Sequence, residues 1–436
     1  MGGEDPDRCR KVLRALDAAV ALFFVSPLVV AYWRGCWQLM DQLLFPENDR
    51  LSIFSSILIG ILPHFMFCVF QDTFRNLCVA NIANPVFLVV SRLYTIVFCF
   101  TCVNHWRGIW FLWDHLTGTS WQSGLLSLGL GFGLLIIANA VCNILAPPFV
   151  SLADKSEGFF DVPTLFNPES QPRRTSVWLW LVDCVFTVVV VDSLVVFVWR
   201  GGWVLLDAFL YPGKPAFSAI GSLTIGALAS VAAFLTQALL AKVLLPLKKK
   251  WLKVAIEIFF YAFCFFAAVN VWRGVWKSLD HFLLPDNRYL SNWITAAAGQ
   301  VVLLLCCCSN SILVRGAVPD VRETGKPGVV FAMSYITHLC RGCYKKDSLP
   351  EDLWQPTVPD GSGPVRTTSR KCNGGLKPEL LNACDGTSAG YVSVSTTDVH
   401  PGATQVIANT HDSSSRLHSK REAYSLEALQ SAQLLA

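Results

Sequence analysis

Trp33-Arg34-Gly35-Cys36-Trp37-Gln38-Leu39-Met40-Asp41 closes a long apolar run, and the chain writes its pattern three more times. It returns as Trp106-Arg107-Gly108-Ile109-Trp110-Phe111-Leu112-Trp113-Asp114 and as Trp199-Arg200-Gly201-Gly202-Trp203-Val204-Leu205-Leu206-Asp207. The fourth copy is Trp272-Arg273-Gly274-Val275-Trp276-Lys277-Ser278-Leu279-Asp280. The shared letters are W-R-G-x-W-x-x-x-D. A pattern repeated at wide, regular spacing marks an architecture assembled from copies of one unit.

The runs that these copies end are membrane-sized. Hydrophobic residues make up 53% of the 436 and charged residues only 15%. The apolar residues gather in eight blocks, near 15–33, 51–71, 86–105, 122–145, 177–198, 218–245, 254–271 and 291–314. Blocks of about 18 residues or more span a hydrocarbon core of roughly 30 Å as helices. The expectation is an all-α polytopic membrane protein with eight transmembrane helices. The first block has no small-residue cleavage site and reads as a retained anchor. A net charge of +4 offers nothing to nucleic acid, and no nucleic-acid partner is expected.

Trp33 and Trp106 are 73 residues apart, as are Trp199 and Trp272, and the two pairs are offset by 166. At that same offset Asp17 falls on Asp183, Asn104 on Asn270, Gly60 on Gly226 and Gln71 on Gln237. Two four-helix repeats follow, over 15–145 and 177–315, each holding two helix–WRGxW–helix units. An even number of spans separates matched positions, so the repeats are parallel and their pseudo-axis lies along the membrane normal. Residues 1–14 form a short amino-terminal segment, 146–176 a Pro-rich linker, and 316–436 a polar tail expected to be mostly disordered. Segments before spans one, three, five and seven hold twelve Lys and Arg, against eight after them. The positive-inside rule then puts both termini, the linker and the tail in the cytoplasm, and all four motifs on the opposite face.

Each motif has a plain physical reading. Tryptophans four apart share a helix face and suit the membrane–water boundary. Arg and Asp seven apart can form an ion pair, and Gly permits a bend or the close approach of another helix. Two roles remain open: an interfacial anchor, or a ring that contacts a partner or ion. Polar residues inside spans are costly and face the bundle interior, which singles out Asp192, Asn104 and Asn270. The asparagines are expected to bond across helices. His105, His115 and His281 share the motif side without metal-ligand spacing, so no metal and no cofactor are expected. Most cysteines sit within apolar runs as packing residues, while Cys340 and Cys343, near Lys345-Lys346, suit palmitoylation. No nucleotide-binding loop or zinc-protease motif lies on a suitable element, and no enzyme is expected.

Four W-R-G-x-W-x-x-x-D copies ending the odd-numbered spans of an eight-span chain resemble the fuseless family of multi-pass presynaptic membrane proteins of invertebrates, over about residues 12–315. The resemblance implies a non-enzymatic protein of the presynaptic plasma membrane. It implies support of synaptic transmission and placement of voltage-gated calcium channels at active zones, with the channel or other active-zone proteins as partners besides the lipid bilayer. It carries over no catalytic or ligand-binding residue. The alternative is a parallel-repeat transporter or channel with a midplane polar site near Asp192.

Overall fold

Each motif lies inside a helix rather than at its end, because no residue of W-R-G-x-W-x-x-x-D stops helical propagation. The computed structural model describes residues 6–80, 84–151, 153–154, 158–167, 176–320, 329–331 and 335–336, all within the unit Met1–Pro364. Cys340, Cys343 and the rest of the expected tail beyond 336 lie outside the described residues. Among the described residues the regular structure is helical, apart from one isolated bridge between Thr164 and Asn167.

Helix α1 runs from Pro6–Val20 through a π-helical turn at Ala21–Val25 into Ser26–Leu43. It is followed by α2 (Asp49–Val69), the short α3 (Gln71–Ala80), α4 (Asn84–Thr117) and α5 (Trp121–Ile137). Helix α6 repeats the plan of α1: Val177–Val185, a π-helical turn at Phe186–Val191, then Asp192–Phe209. The chain continues as α7 (Pro215–Leu244), α8 (Lys250–Phe282) and α9 (Arg288–Leu305).

The four motif helices stop in the same way. Just past their ends, Phe45, Gly118, Tyr211 and Leu284 take left-handed backbone angles, and proline follows in three of the four. Left-handed termination satisfies the last carbonyls and turns the chain back. The next helix then starts on a cap: Asn48 accepts from Leu51 N, Ser120 from Ser123 N and Asn287 from Leu290 N, while Pro215 opens α7.

The hairpins formed by these turns do not pack mainly on themselves. Helix α2 lies on α4, α5 on α6, α7 on α8, and α9 returns to lie on α1. The motif helices α1, α4, α6 and α8 touch in that order as an inner ring, which closes between α8 and α1. Each peripheral helix therefore covers the inner helix of the next copy. The motif glycine is where the two axes come together. A Cβ on Gly35 would fall 2.5 Å from Ala296 N and from Asn292 O of α9, and Gly108, Gly201 and Gly274 meet Ile57, Leu128 and Leu223 in the same way. Small residues at such crossings let backbones approach without a hydrophobic driving force between helices. Each helix runs through its motif glycine without a break.

Among the described residues six helices are long and apolar enough to cross a membrane: those over 11–43, 49–69, 86–117, 177–209, 215–244 and 250–282. The other two expected spans come out shorter, as α5 with 17 residues and α9 with 18. The cause is local. After Ile137 and Leu305 the chain takes a left-handed residue, Asn139 or Cys307, and enters a 3-10 turn at Val141–Ile144 or Ser309–Ile312. Val141, Ile144, Ser309 and Ile312 are all fully buried, so these segments run into the core. Irregular backbone at such depth is tolerated where protein surrounds it.

Each turn is held by an aspartate that follows the other turn. The Asp320 carboxylate accepts from Val141 N at 2.9 Å and Cys142 N at 2.6 Å, while Asp154 accepts from Asn310 N at 2.8 Å and Ser309 Oγ at 2.7 Å. The two aspartates are themselves 166 residues apart. Burial pushes the Asp320 carboxyl above the usual carboxylate range, and the two N–H donors pull against that shift. Phe149, Phe159, Phe160 and Val162 of the linker are buried too, as are Ala317 and Val329 beyond 315. Peripheral surfaces such as Leu228, Leu235 and Leu239 of α7 remain open and apolar, as a bilayer requires.

Candidate functional site

The eight motif tryptophans form two stacked rings. In the first, Trp33 meets Trp106 at 5.2 Å between ring centroids, Trp106 meets Trp199 at 5.8 Å, Trp199 meets Trp272 at 5.3 Å, and Trp272 returns to Trp33 at 5.6 Å. In the second, Trp37, Trp110, Trp203 and Trp276 close a circuit at 5.6, 6.1, 5.6 and 6.0 Å. All eight contacts are edge to face, the geometry that ring quadrupoles favour by about 0.5–1.5 kcal/mol each. The indole N–H of Trp33 donates to Ile312 O, that of Trp199 to Ile144 O, and that of Trp272 to Pro147 O. The first ring is thus held on one carbonyl of each buried turn and on Pro147 O just past the first turn. These indoles face one another and the buried turns.

Around the rings runs a circuit of ion pairs, and each pair joins two copies. Arg107 Nε donates to Asp41 at 2.8 Å, Arg200 Nε to Asp114 at 2.7 Å, Arg273 Nε to Asp207 at 2.9 Å, and Arg34 Nε to Asp280 at 2.7 Å. Every arginine pairs with the aspartate of the preceding copy, and the first pairs with the last. The arginines are at most 3% exposed, whereas the aspartate side chains are 19–40% exposed at the rim. A buried guanidinium needs its donors filled. Hydroxyls of the peripheral helices meet them: Ser52 and Ser56 for Arg107, Ser218 and Ser222 for Arg273, and Ser291 and Thr295 for Arg34, while Arg200 Nη2 meets Ser123 Oγ and Gly118 O and its Nη1 has no hydrogen-bond partner. Sequence reading missed these hydroxyls. The signal was present, as a Ser with Ser or Thr four residues on, 16–18 residues after each motif arginine.

A model of the Fuseless family matches residues 12–313, which takes in all four motifs and both buried turns. The chain belongs to the Fuseless family. No curated protein and no solved structure matches it.

Not every polar residue inside this Fuseless bundle serves the circuit. Asn104 and Asn270 donate back along their own helices, to Phe100 O and Phe266 O at 2.9 Å, rather than across helices as expected. Asp192 has a different setting. It follows the π-helical turn of α6 and faces two histidines, His64 of α2 and His105 of α4. His64 Nδ1 lies 3.6 Å from Asp192 Oδ2, and one ligand atom from each of the three residues lies within 4.8 Å of the others. All three are at most 2% exposed. Both nitrogens of His64, Nε2 of His105 and Oδ2 of Asp192 lack a hydrogen-bond partner. Gly60, one turn before His64, brings α2 against α4 at His105, where an added Cβ would lie 2.3 Å from backbone. Sequence spacing could not disclose this cluster, because its members come from three helices.

Proposed function

We propose that this chain is a non-enzymatic integral membrane protein that acts as a rigid body in the presynaptic plasma membrane. It supports synaptic transmission by placing voltage-gated calcium channels at active zones, with active-zone proteins meeting its peripheral helices or its tail. On this reading the chain crosses the bilayer eight times as two parallel four-helix repeats. Helices α5 and α9 complete their crossings through the buried turns, and both termini lie in the cytoplasm. The Lys and Arg distribution supports that orientation.

The observation that carries the proposal is the closure of the centre. Two rings of edge-to-face indoles fill the space inside the four motif helices, and two segments of chain enter the core beneath them. A conduit needs a wettable path lined by charges or carbonyls. Here the carbonyls of Ile144, Pro147 and Ile312 are taken by indole N–H groups instead. The alternative, a transporter or channel with a polar site near Asp192, is favoured by the unpartnered groups of His64, His105 and Asp192.

Two assays on the full chain separate these readings. In liposomes holding the purified protein, ion flux is expected to match that of empty liposomes. In nerve terminals lacking the endogenous protein, the wild-type chain is expected to restore calcium-channel clustering, and Arg107→Gln with Arg273→Gln to fail. Flux that disappears with Asp192→Asn, together with clustering indifferent to the arginine changes, would overturn the proposal.

A further inference from the structure

The structure assigns to His64, His105 and Asp192 a binding site for one divalent transition-metal cation, with zinc the ion that fits best. The donor set makes the first argument. Two imidazoles and one carboxylate converge from α2, α4 and α6. Imidazole ligands suit zinc and its first-row neighbours, whereas calcium and magnesium take oxygen shells. Three protein donors with one position left for water are a common zinc arrangement.

The second argument is electrostatic. An ionisable group in the hydrocarbon region is costly and is kept where something answers it. Asp192 Oδ2 is buried without a hydrogen-bond partner, and at 3.6 Å it is too far from His64 Nδ1 for a hydrogen bond. A shared proton would join two of the three residues and leave Nε2 of His105 and the second nitrogen of His64 still unanswered. A divalent cation takes one lone pair from each residue and neutralises the carboxylate. Zinc bonds of about 2.0–2.2 Å put neighbouring donors roughly 3.5 Å apart. The observed 4.8 Å envelope lies within about 1.3 Å of that spacing.

The third argument is asymmetry. At the 166-residue offset the counterparts of His64, His105 and Asp192 are Ser230, Val271 and Ser26, all buried and none a ligand of this class. Those positions hold small or apolar residues, and the hydroxyls of Ser26 and Ser230, also buried without a hydrogen-bond partner, are neutral. The π-helical turn before Asp192, by contrast, has a partner at Ala21–Val25, so it does not mark the site by itself. What distinguishes the first set is its donors.

The test uses the full-length chain purified in detergent without a histidine tag. Metal analysis is expected to find about one zinc per chain. After stripping with a chelator, Co²⁺ is expected to produce visible d–d bands that saturate at one equivalent and vanish on adding Zn²⁺. Asp192→Asn and His64→Gln should each weaken Co²⁺ binding by ~100-fold or more, since even indirect ligand changes cost 10–100-fold. Ser230→Ala should leave it unchanged. Absence of both zinc and cobalt bands in the wild type would overturn the assignment, as would binding indifferent to both substitutions. If the variants fail to fold, the wild type's zinc X-ray absorption decides. A nitrogen and oxygen shell near ~2.0–2.1 Å upholds the site, and a sulfur shell near ~2.3 Å overturns it.

Discussion

The motif circuit and the His64–His105–Asp192 cluster lie in one bundle but follow opposite rules. In the circuit all four copies do the same thing: indole on indole, arginine on the preceding aspartate, hydroxyls on the guanidinium. In the cluster one set of positions carries ionisable groups, and the matched set carries Ser230, Val271 and Ser26. Fourfold agreement is what closure demands, because a ring is only as complete as its weakest joint. Departure from agreement, where burial is equal, marks a chemical role that closure does not need. Symmetry holds the bundle together, and its exception locates the ligand.

The largest effect should come from removing an acceptor at the circuit while leaving its guanidinium in place. Asp41→Ala strands the buried Arg107 and is expected to cost about 3–5 kcal/mol, as for a broken buried pair. Denaturant or thermal unfolding in detergent micelles measures it, with the exposed Glu47→Ala as an inert reference. Asp207→Ala should behave like Asp41→Ala, but Arg273→Gln should cost less than Arg107→Gln, because Lys277 Nζ also reaches Asp207 at 2.8 Å. Equal costs for Arg273→Gln and Arg107→Gln would count against this account of the pairing.

Helix approach gives the next effect. Gly201→Ala sets a Cβ 2.5 Å from Leu128 N and is expected to destabilise by about 1–3 kcal/mol through overpacking. Gly129→Ala, with nothing within 4 Å of its added Cβ, should be neutral or slightly stabilising. The smallest effect belongs to the rings. Trp33→Phe gives up an indole donor to Ile312 O as well as ring area, and should cost about 1–2 kcal/mol. Trp37→Phe gives up ring area at contacts with Trp110 and Trp276, and should cost less. Equal losses would mean that the buried turns do not seat the first ring.

The sequence carried the copies, their spacing and the membrane class, because each is written in local letters or a fixed offset. It did not carry the pairing. Arg34 answers Asp280, 246 residues away, and within one motif Arg34 and Asp41 are so well spaced that a local ion pair is the natural reading. Only closure of the ring decides between them. The hydroxyl pairs at Ser52 and Ser56, Ser218 and Ser222, and Ser291 and Thr295 were legible, since they keep the repeat spacing. They were overlooked because a serine in an apolar run reads as a packing residue. The shortness of α5 and α9 was hidden for a different reason. Val141, Ile144 and Ile312 are as apolar in a buried turn as in a helix, and hydropathy does not tell the two apart. His64 lacked any signal beyond its burial in a span, and its partners met it only in three dimensions.

A double-mutant cycle at the joint between the first and last copies tests the closed circuit most directly. Arg34→Gln, Asp280→Asn and their combination are to be unfolded in micelles beside the same cycle for Arg34 and Asp41. The account predicts a coupling of about 1–3 kcal/mol for Arg34 with Asp280 and none above about 0.5 kcal/mol for Arg34 with Asp41. Coupling within the copy, with none between Arg34 and Asp280, would contradict it.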